Sequence, residues 1–310
     1  MTDVYPSRFS AEPAILPRRD PCAWQEWRPD SPLTREQYDS WVRNGFLILE
    51  NLFSDDEIAI FRQELQRLSK QPGIGKLEEC ISEPTTREMR SLFAPQHHSR
   101  LFYHVMRDQR LLDIAEFLLG SQVYVHQSRV NFKPGFRGKE FFWHSDFETW
   151  HTEDGLPRMR TFSVSITLTE NNPCNGPLML IPGSHKEYIS CVGNTPDFHY
   201  RRSLQKQEAG LPDEESIARL AESNGIQAAT GKAGTVVLFD CNTLHGSGGN
   251  MSPWPRSNIF FVYNSVENKP EAPFAASSPR PWYISERENL EGLEACMPDY
   301  RELFEGRQVA

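Results

Sequence analysis

The stretch QVYVHQSRVNF, residues 122–132, marks a change in the character of the chain. From here on, β-branched and aromatic residues occur in short alternating runs, which is typical of β-strands. Further runs of this kind follow, separated by Gly, Pro and Asn. They are KEFFWHSDF (139–147), TFSVSITLT (161–169), GPLMLIP (176–182), GTVVLFD (234–240) and SNIFFVYNSV (257–266). This succession predicts an antiparallel sandwich or jelly roll.

Two capping boxes upstream of this region predict helix starts, because an N-cap hydroxyl is followed three residues later by Glu or Gln. The boxes are Thr34 with Gln37 and Ser54 with Glu57. The first helix is expected to stop at Gly45 and the second near Lys70, with a short apolar strand at 46–53 between them. A third helix is predicted over about residues 100–119, with Gly120 as its stop. The chain is therefore expected to be mainly β, braced by N-terminal helices.

The whole chain, residues 1–310, is expected to form a single domain. Residues 1–32 are rich in Pro and Arg and predict an irregular arm laid over the surface. Residues 183–231 are polar and weakly periodic, apart from a helix expected near 213–223. This segment is either an ordered crossover or a mobile lid over residues 183–210.

The net charge of −9 argues against nucleic-acid binding, and no local cluster of Lys and Arg makes an exception. The N-terminus lacks the apolar region of a signal peptide, and the longest apolar runs are too short to span a bilayer. Six scattered cysteines without a CxxC pair predict reduced thiols. A cytoplasmic protein with no membrane partner is therefore expected.

The run FFWHSDF carries His144 and Asp146 two residues apart. If the strand continues through both, their side chains leave it on the same face. A third ligand is expected from His245, which follows the run GTVVLFD. Two histidines and one carboxylate form the facial triad that binds Fe(II) and leaves positions open for O2 chemistry. His151 lies at an odd separation from Asp146 and is expected to point elsewhere.

An HxD triplet alone is a weak signal, and zinc hydrolases also use two histidines and a carboxylate. Arg256, eleven residues beyond His245, distinguishes between the iron and zinc interpretations. An oxoacid that chelates iron through one carboxylate needs a cation for its other carboxylate, and Arg256 can bind it bidentately. The spacing therefore favours iron with an oxoacid cosubstrate over zinc.

Longer motifs around these residues resemble the ectoine hydroxylases of the phytanoyl-CoA dioxygenase superfamily. They are QSRVNFKPG (127–135), FFWHSDFETWHTEDGLPRMR (141–160) and DCNTLHGSGGNMSPWPRSN (240–258). The resemblance extends from YPSR (5–8) to SSPRPW (277–282), nearly the whole chain. It implies a double-stranded β-helix, a cupin-like jelly roll with iron at its mouth, bound by His144, Asp146 and His245.

The resemblance also implies roles for other residues. Those expected to hold 2-oxoglutarate are Lys133 and Arg256, together with Asn131 and Ser165. Those expected to contact ectoine are Gln127, Thr149, Trp150 and Arg280, with Phe239 and Phe261 as aromatic walls. The chemistry of ectoine fits, since Trp150 can face its amidinium, Gln127 can accept from it and Arg280 can bind its carboxylate.

The implied reaction is hydroxylation of L-ectoine to 5-hydroxyectoine, using 2-oxoglutarate and O2 and releasing succinate and CO2. One alternative is a sibling dioxygenase for another small amino acid such as L-proline, which would differ only in the pocket of Gln127, Trp150 and Arg280. Another is a jelly-roll binding module without catalysis, which an intact triad with Arg256 disfavours. A homodimer is consistent with the size of the chain, although the sequence shows no interface signature.

Overall fold

Most of the alternating runs are strands in the computed structural model, which describes residues 3–82, 88–203 and 209–306. The strands are β1 Ala14–Pro17, β2 Phe46–Leu49, β3 Cys80–Ser82, β4 Met89–Phe93, β5 Val123–Lys133, β6 Phe141–His144, β7 Thr161–Thr167, β8 Leu178–Leu180, β9 Glu187–Ser190, β10 Gln227–Ala229, β11 Val236–Asp240, β12 His245–Ser247 and β13 Arg256–Ser265. The helices are α1 Arg35–Asn44, α2 Asp55–Ser69, α3 Arg100–Val105, α4 Gln109–Leu119, α5 Asp146–Thr152, α6 Tyr200–Ser203, α7 Glu214–Asn224 and α8 Tyr300–Glu305.

Two antiparallel sheets form the core of the molecule. One has seven strands in the order β2-β11-β7-β13-β5-β4-β3, and the other has four in the order β10-β8-β12-β6. Phe239 and Phe260 of the larger sheet share an apolar cluster with Leu180 of the smaller one, so the two sheets face each other. The predicted jelly roll is confirmed.

Alternation along the strands of the larger sheet separates its two faces. On β11, Val236 and Leu238 pack into the main core with the helices, whereas Val237 and Phe239 face the smaller sheet. A strand buried on both faces is apolar throughout, as the run VVLF shows. The N-terminal helices therefore brace the outer face and leave the inner face for a site.

The first two helices begin and end where their caps predict. Both capping boxes are formed, and Gly45 ends α1 in the left-handed conformation. The prediction of one helix over about residues 100–119 is wrong, because the chain forms α3 and α4 with a break between them. The Asp108 side chain accepts from the backbone N–H of Arg110 and starts α4. A buried N-cap thus divides a segment whose apolar periodicity looked continuous.

The run KEFFWHSDF is not one strand, which corrects a second expectation. Strand β6 ends at His144, and Ser145 caps α5, which begins at Asp146. Acidic residues in the first turn stabilise a helix start, and Asp146 and Glu148 lie there. His245 begins the short strand β12 and pairs with His144. His144 and Asp146 therefore converge across a strand-to-helix junction rather than along a strand.

The arm and the crossover are more ordered than the sequence suggests. Strand β1 of the arm pairs with β9, and the arm side chains of Tyr5 and Arg8 are buried. The helix expected near 213–223 is confirmed as α7. The predicted lid includes residues 204–208, which lie outside the described residues. Within the described ranges, none of the helices is both long and apolar enough to cross a bilayer.

Arg8 fastens the arm to the helix that carries Asp146. Its guanidinium pairs with Glu148 at 2.6 Å and Glu153 at 2.7 Å, and all three side chains are almost fully buried. Breaking a buried pair leaves uncompensated charge, so we expect Arg8→Ala to lower the free energy of unfolding by about 3–5 kcal/mol. Urea denaturation measures this. The exposed pair Arg35–Asp39 provides the control, since Arg35→Ala should cost at most about 0.5 kcal/mol. A decrease of less than about 1 kcal/mol in the free energy of unfolding of Arg8→Ala would contradict a stabilising role for this buried ion pair.

Candidate active site

Three side chains from three elements converge at the mouth of the jelly roll. His144 ends β6, Asp146 begins α5 and His245 begins β12. One potential ligand atom from each lies within 4.8 Å of the others. The Asp146 Oδ1 atom is 3.6 Å from His144 Nε2 and 3.8 Å from His245 Nε2. These separations fit three ligands around one metal ion rather than direct hydrogen bonds.

The hydrogen bonds behind the triad fix which atoms can bind metal. Nδ1 of His144 lies 2.7 Å from the carbonyl of Phe142, and Nδ1 of His245 lies 2.9 Å from that of Thr243. A carbonyl only accepts, so each Nδ1 carries the proton and each Nε2 presents a lone pair. Ser163 donates to Asp146 Oδ2 at 3.2 Å and orients the carboxylate. The donor set therefore fits Fe(II).

The electrostatics of the triad favour its metal-binding protonation state. Burial, followed by the nearby His144, lowers the pKa of His245 to about 4, so this imidazole is neutral near pH 7. Burial alone would raise the pKa of Asp146, but His245 and His144 outweigh it and hold that pKa well below its usual range. Both groups are thus ready to coordinate without first losing a proton.

A cavity of about 470 Å³ opens over the triad. It is large enough for a small cosubstrate together with a small substrate. Most of the expected site residues line it. They are Gln127, Asn131, His144, Asp146, Thr149, Trp150, Phe239, His245, Arg256 and Arg280.

Lys133 and Arg256 lie directly opposite each other on the adjacent strands β5 and β13. Both side chains are buried, and neither pairs with a carboxylate of the described residues. Nε of Arg256 has no hydrogen-bond partner there, and burial lowers the pKa of Arg256 to about 10. Two facing buried cations without an anion are costly, so the geometry fits a bound dicarboxylate such as 2-oxoglutarate.

The other residues expected at this end differ in exposure to the cavity. Asn131 lines it and accepts from Ser91 at 2.7 Å. Ser165 accepts from Asn258 at 2.9 Å and lies behind the lining residues. The Lys133 ammonium also lies behind them, donating to Ser247 Oγ at 2.8 Å and to the Gly248 carbonyl at 2.6 Å.

Trp150 and Gln127 line another part of the cavity wall, and one expectation here needs correction. Phe261 is not a cavity wall, because it packs into the main core, and its neighbour Phe260 lines the cavity instead. Alternation along β13 explains the exchange. Arg280 also lines the cavity, and Asp154 accepts from its Nε at 2.7 Å and its Nη2 at 2.5 Å.

Sequence reasoning missed Arg129, a half-buried residue that lines the cavity and whose guanidinium lies 4.9 Å from the centre of the Phe260 ring. It also missed Asp154. Arg129 could have been identified from the sequence, because it lies two residues from Gln127 on β5 and alternate residues of a strand share a face. His151 points away, as expected, but for a different reason: it lies on α5 and contacts the carbonyl of Leu156 at 2.8 Å.

Comparisons with known proteins agree with this geometry. The family model of phytanoyl-CoA dioxygenase matches residues 41–258. The chain is 52% identical to the ectoine dioxygenase of Sphingopyxis alaskensis over 93% of this chain and 94% of that protein. It is also 52% identical to the ectoine dioxygenase of Stutzerimonas stutzeri, over 96% and 99%. The solved structure of EctD from S. alaskensis with 2-oxoglutarate and 5-hydroxyectoine superposes with a TM-score of 0.88 at 46% identity, covering 96% and 99%.

Fold and site together define a mononuclear non-haem iron dioxygenase that uses 2-oxoglutarate. The match to the relatives covers nearly the full length of both chains. The chain belongs to the phytanoyl-CoA dioxygenase family and, within it, to the ectoine dioxygenases.

Proposed function

We infer that the protein hydroxylates L-ectoine to 5-hydroxyectoine, consuming 2-oxoglutarate and O2 and releasing succinate and CO2. The observation that carries this function is the pair of buried cations without an anion, Lys133 and Arg256, in the barrel that holds the triad of His144, Asp146 and His245. The ectoine dioxygenases to which the chain is similar support the substrate.

The triad residues would hold Fe(II) through the two Nε2 atoms and the Asp146 carboxylate. When bound, the iron supplies the redox chemistry that couples decarboxylation of 2-oxoglutarate to oxygenation of the substrate. Arg256 binds the distal carboxylate of the cosubstrate from the cavity wall, and Lys133 adds its positive charge from behind the lining residues. Asn131 adds a polar contact, and Ser165 supports the wall from behind. These residues fix the cosubstrate relative to the metal, which is the protein's contribution to the rate.

The substrate end binds a compact zwitterion. The face of Trp150 meets the delocalised amidinium, Gln127 accepts a hydrogen bond from it, and Arg280 binds the carboxylate. Thr149 lies beside Trp150 on α5, and Phe239 and Phe260 close the apolar side. This arrangement holds the ring over the metal and excludes water from the reacting C–H bond.

The charge of Lys133 predicts how cosubstrate binding depends on pH. Burial, and then Arg256, lower the pKa of Lys133 to about 7. Raising the pH through this value removes the ammonium charge, so we expect the KM for 2-oxoglutarate to rise between about pH 6.5 and 8.5, by up to about tenfold per pH unit. Initial rates at saturating ectoine measure it. In Lys133→Arg the cation stays charged, and the profile should flatten. A flat wild-type profile would exclude this role for Lys133.

We also propose that residues 183–210 act as a lid over the filled site. Their polar composition and the position of His199 and Ala209 along the cavity support this. Hydrogen exchange measured with and without 2-oxoglutarate and ectoine, with Fe(II) present, should show increased protection in this segment when both are bound. Equal protection in both states would exclude the lid.

The wider organisation is proposed on simpler grounds. The chain forms a single domain, and its six free cysteines support a cytoplasmic location. A homodimer is supported by the exposed side chains of Phe136, Met251 and Trp254 on two loops that contact each other. Light scattering after size exclusion would give the oligomeric state.

One experiment tests the function against its sibling. Purified protein with Fe(II), 2-oxoglutarate and O2 is given ectoine or L-proline, and succinate and hydroxylated product are quantified. Product from ectoine in proportion to succinate supports the proposal. Coupled turnover with proline alone would favour the sibling dioxygenase. No succinate with any substrate would favour a binding module.

A further inference from the structure

Arg280 is held by a buried carboxylate at the end of the helix that carries Asp146. Asp154 lies two residues beyond α5 and has no exposed surface. Its two oxygens accept from Nε and Nη2, so it contacts one edge of the guanidinium. Among the described residues, none is bonded to Nη1. The remaining edge, formed by Nη1 and Nη2, is therefore available to a second carboxylate.

Asp154 has a further partner in His126. Nε2 of His126 lies 3.1 Å from Asp154 Oδ2, and a carboxylate only accepts, so the imidazole donates. The same ring packs edge-to-face on Trp150, with 5.8 Å between the ring centres. His126 thus contacts both the carboxylate that holds Arg280 and the aromatic wall of the cavity.

An irregularity in β5 places His126 there. Gln127 pairs with Val262 and Val125 pairs with Tyr263, so His126 is the extra residue of a β-bulge. Before the bulge Val125 packs into the main core, whereas Gln127 after it lines the cavity despite having the same parity. Because of the bulge, Gln127 lines the cavity while its neighbour His126 contacts Asp154.

Arg280 needs such support because of where it lies. The described backbone from 266 to 299 forms neither a helix nor a strand of more than one residue. A long side chain on an irregular loop can adopt many rotamers, and fixing one in advance of binding improves affinity. Asp154 supplies this constraint from a rigid helix end.

We propose that Asp154 is a positioning residue for substrate recognition, supported by His126. It holds the Arg280 guanidinium by one edge and presents the other edge to the substrate carboxylate. Because α5 begins at Asp146 and Asp154 follows its C-terminal end, the same helix positions the metal ligand and the residue that holds Arg280. This proposal rests on the proposed function, since the substrate must carry a carboxylate.

A double-mutant cycle tests the proposal. Arg280→Ala and Asp154→Asn should each raise the KM for ectoine at least about tenfold, with the KM for 2-oxoglutarate and the iron content nearly unchanged. Because Asp154 acts through Arg280, the double variant should match Arg280→Ala within about twofold. The proposal would be overturned if the increase in ectoine KM in the double variant equalled the product of the two single increases. A normal ectoine KM in Asp154→Asn would also overturn it.

The chain offers a matched control. Asp108 is also buried and accepts from Nε and Nη2 of Arg110, at 2.8 and 2.7 Å, at the start of α4. Asp108→Asn should lower the melting temperature and leave the ectoine KM unchanged. If it raises that KM as much as Asp154→Asn does, the effect is general destabilisation and the positioning role is excluded.

Two further measurements cover poor folding and a different substrate. Arg280→Lys keeps the charge but cannot contact two carboxylates by two edges, so its ectoine KM should rise; a normal KM would overturn the proposal. Arg280→Ala leaves Asp154 without its cation, so adding Asp154→Asn should restore part of the lost melting temperature. If the wild type does not turn over ectoine, the proposed function is wrong, whatever the role of Asp154. In that case the melting temperatures still test the Asp154–Arg280 coupling, which is overturned if adding Asp154→Asn to Arg280→Ala restores none of the lost melting temperature.

Discussion

Replacing His144, Asp146 or His245 with Ala is expected to abolish both iron binding and turnover. Two remaining ligands cannot hold Fe(II) in a facial site, and the ligand atoms lie within 4.8 Å of one another, so each is needed to complete it. Losing an outer hydrogen-bond partner of a ligand typically costs about 10–100-fold, and losing the ligand itself should cost more. Iron content after anaerobic loading and desalting, together with succinate formation, measures both effects.

His97→Ala is the matched control for the histidine variants. His97 is exposed and contacts the ring of Trp282 rather than the triad. It should keep wild-type iron content and rate. Near-normal iron and activity in any of the three triad variants would remove that residue from the metal site and call for another ligand.

Local signals explain how much of the fold could be predicted. Helix caps depend on residues three positions apart, so Thr34 with Gln37 and Ser54 with Glu57 could be identified in the sequence. Alternating runs fixed most strands of the two sheets, because the side-chain period of a strand is independent of its partners. The iron ligands could be predicted as well, since their chemistry restricts residue type and spacing.

The errors arise where long-range contacts decide. Ser145 with Glu148 matches a capping box and Asp108 is a good N-cap residue, but these signals lie inside an alternating run and an apolar helical pattern, which suggested continuous elements. The exchange of Phe261 for Phe260 depends on which face of β13 meets the helices. The pairing of Arg280 with Asp154 joins residues 126 positions apart, and only the folded chain brings them together.

The environment of Arg256 explains why it should matter most for the cosubstrate. Its side chain lies on the inner face of the larger sheet, buried beside Lys133, and desolvation keeps its pKa below the ordinary value. A buried guanidinium that lacks a carboxylate in the free protein gains its partner only when an anion binds. The binding free energy of that anion therefore includes relief of this cost.

Arg256→Ala should raise the KM for 2-oxoglutarate by the equivalent of about 2–5 kcal/mol, since it removes one partner of a desolvated charge pair. The KM for ectoine should change little when 2-oxoglutarate is saturating, because Arg280 and Trp150 form the other end of the cavity. Iron content should stay normal, which separates this defect from loss of a triad ligand. Initial rates measured while either 2-oxoglutarate or ectoine is varied give the two KM values. If Arg256→Ala weakened ectoine alone, the two ends of the cavity would have to exchange roles, with the free cation of Arg256 binding substrate.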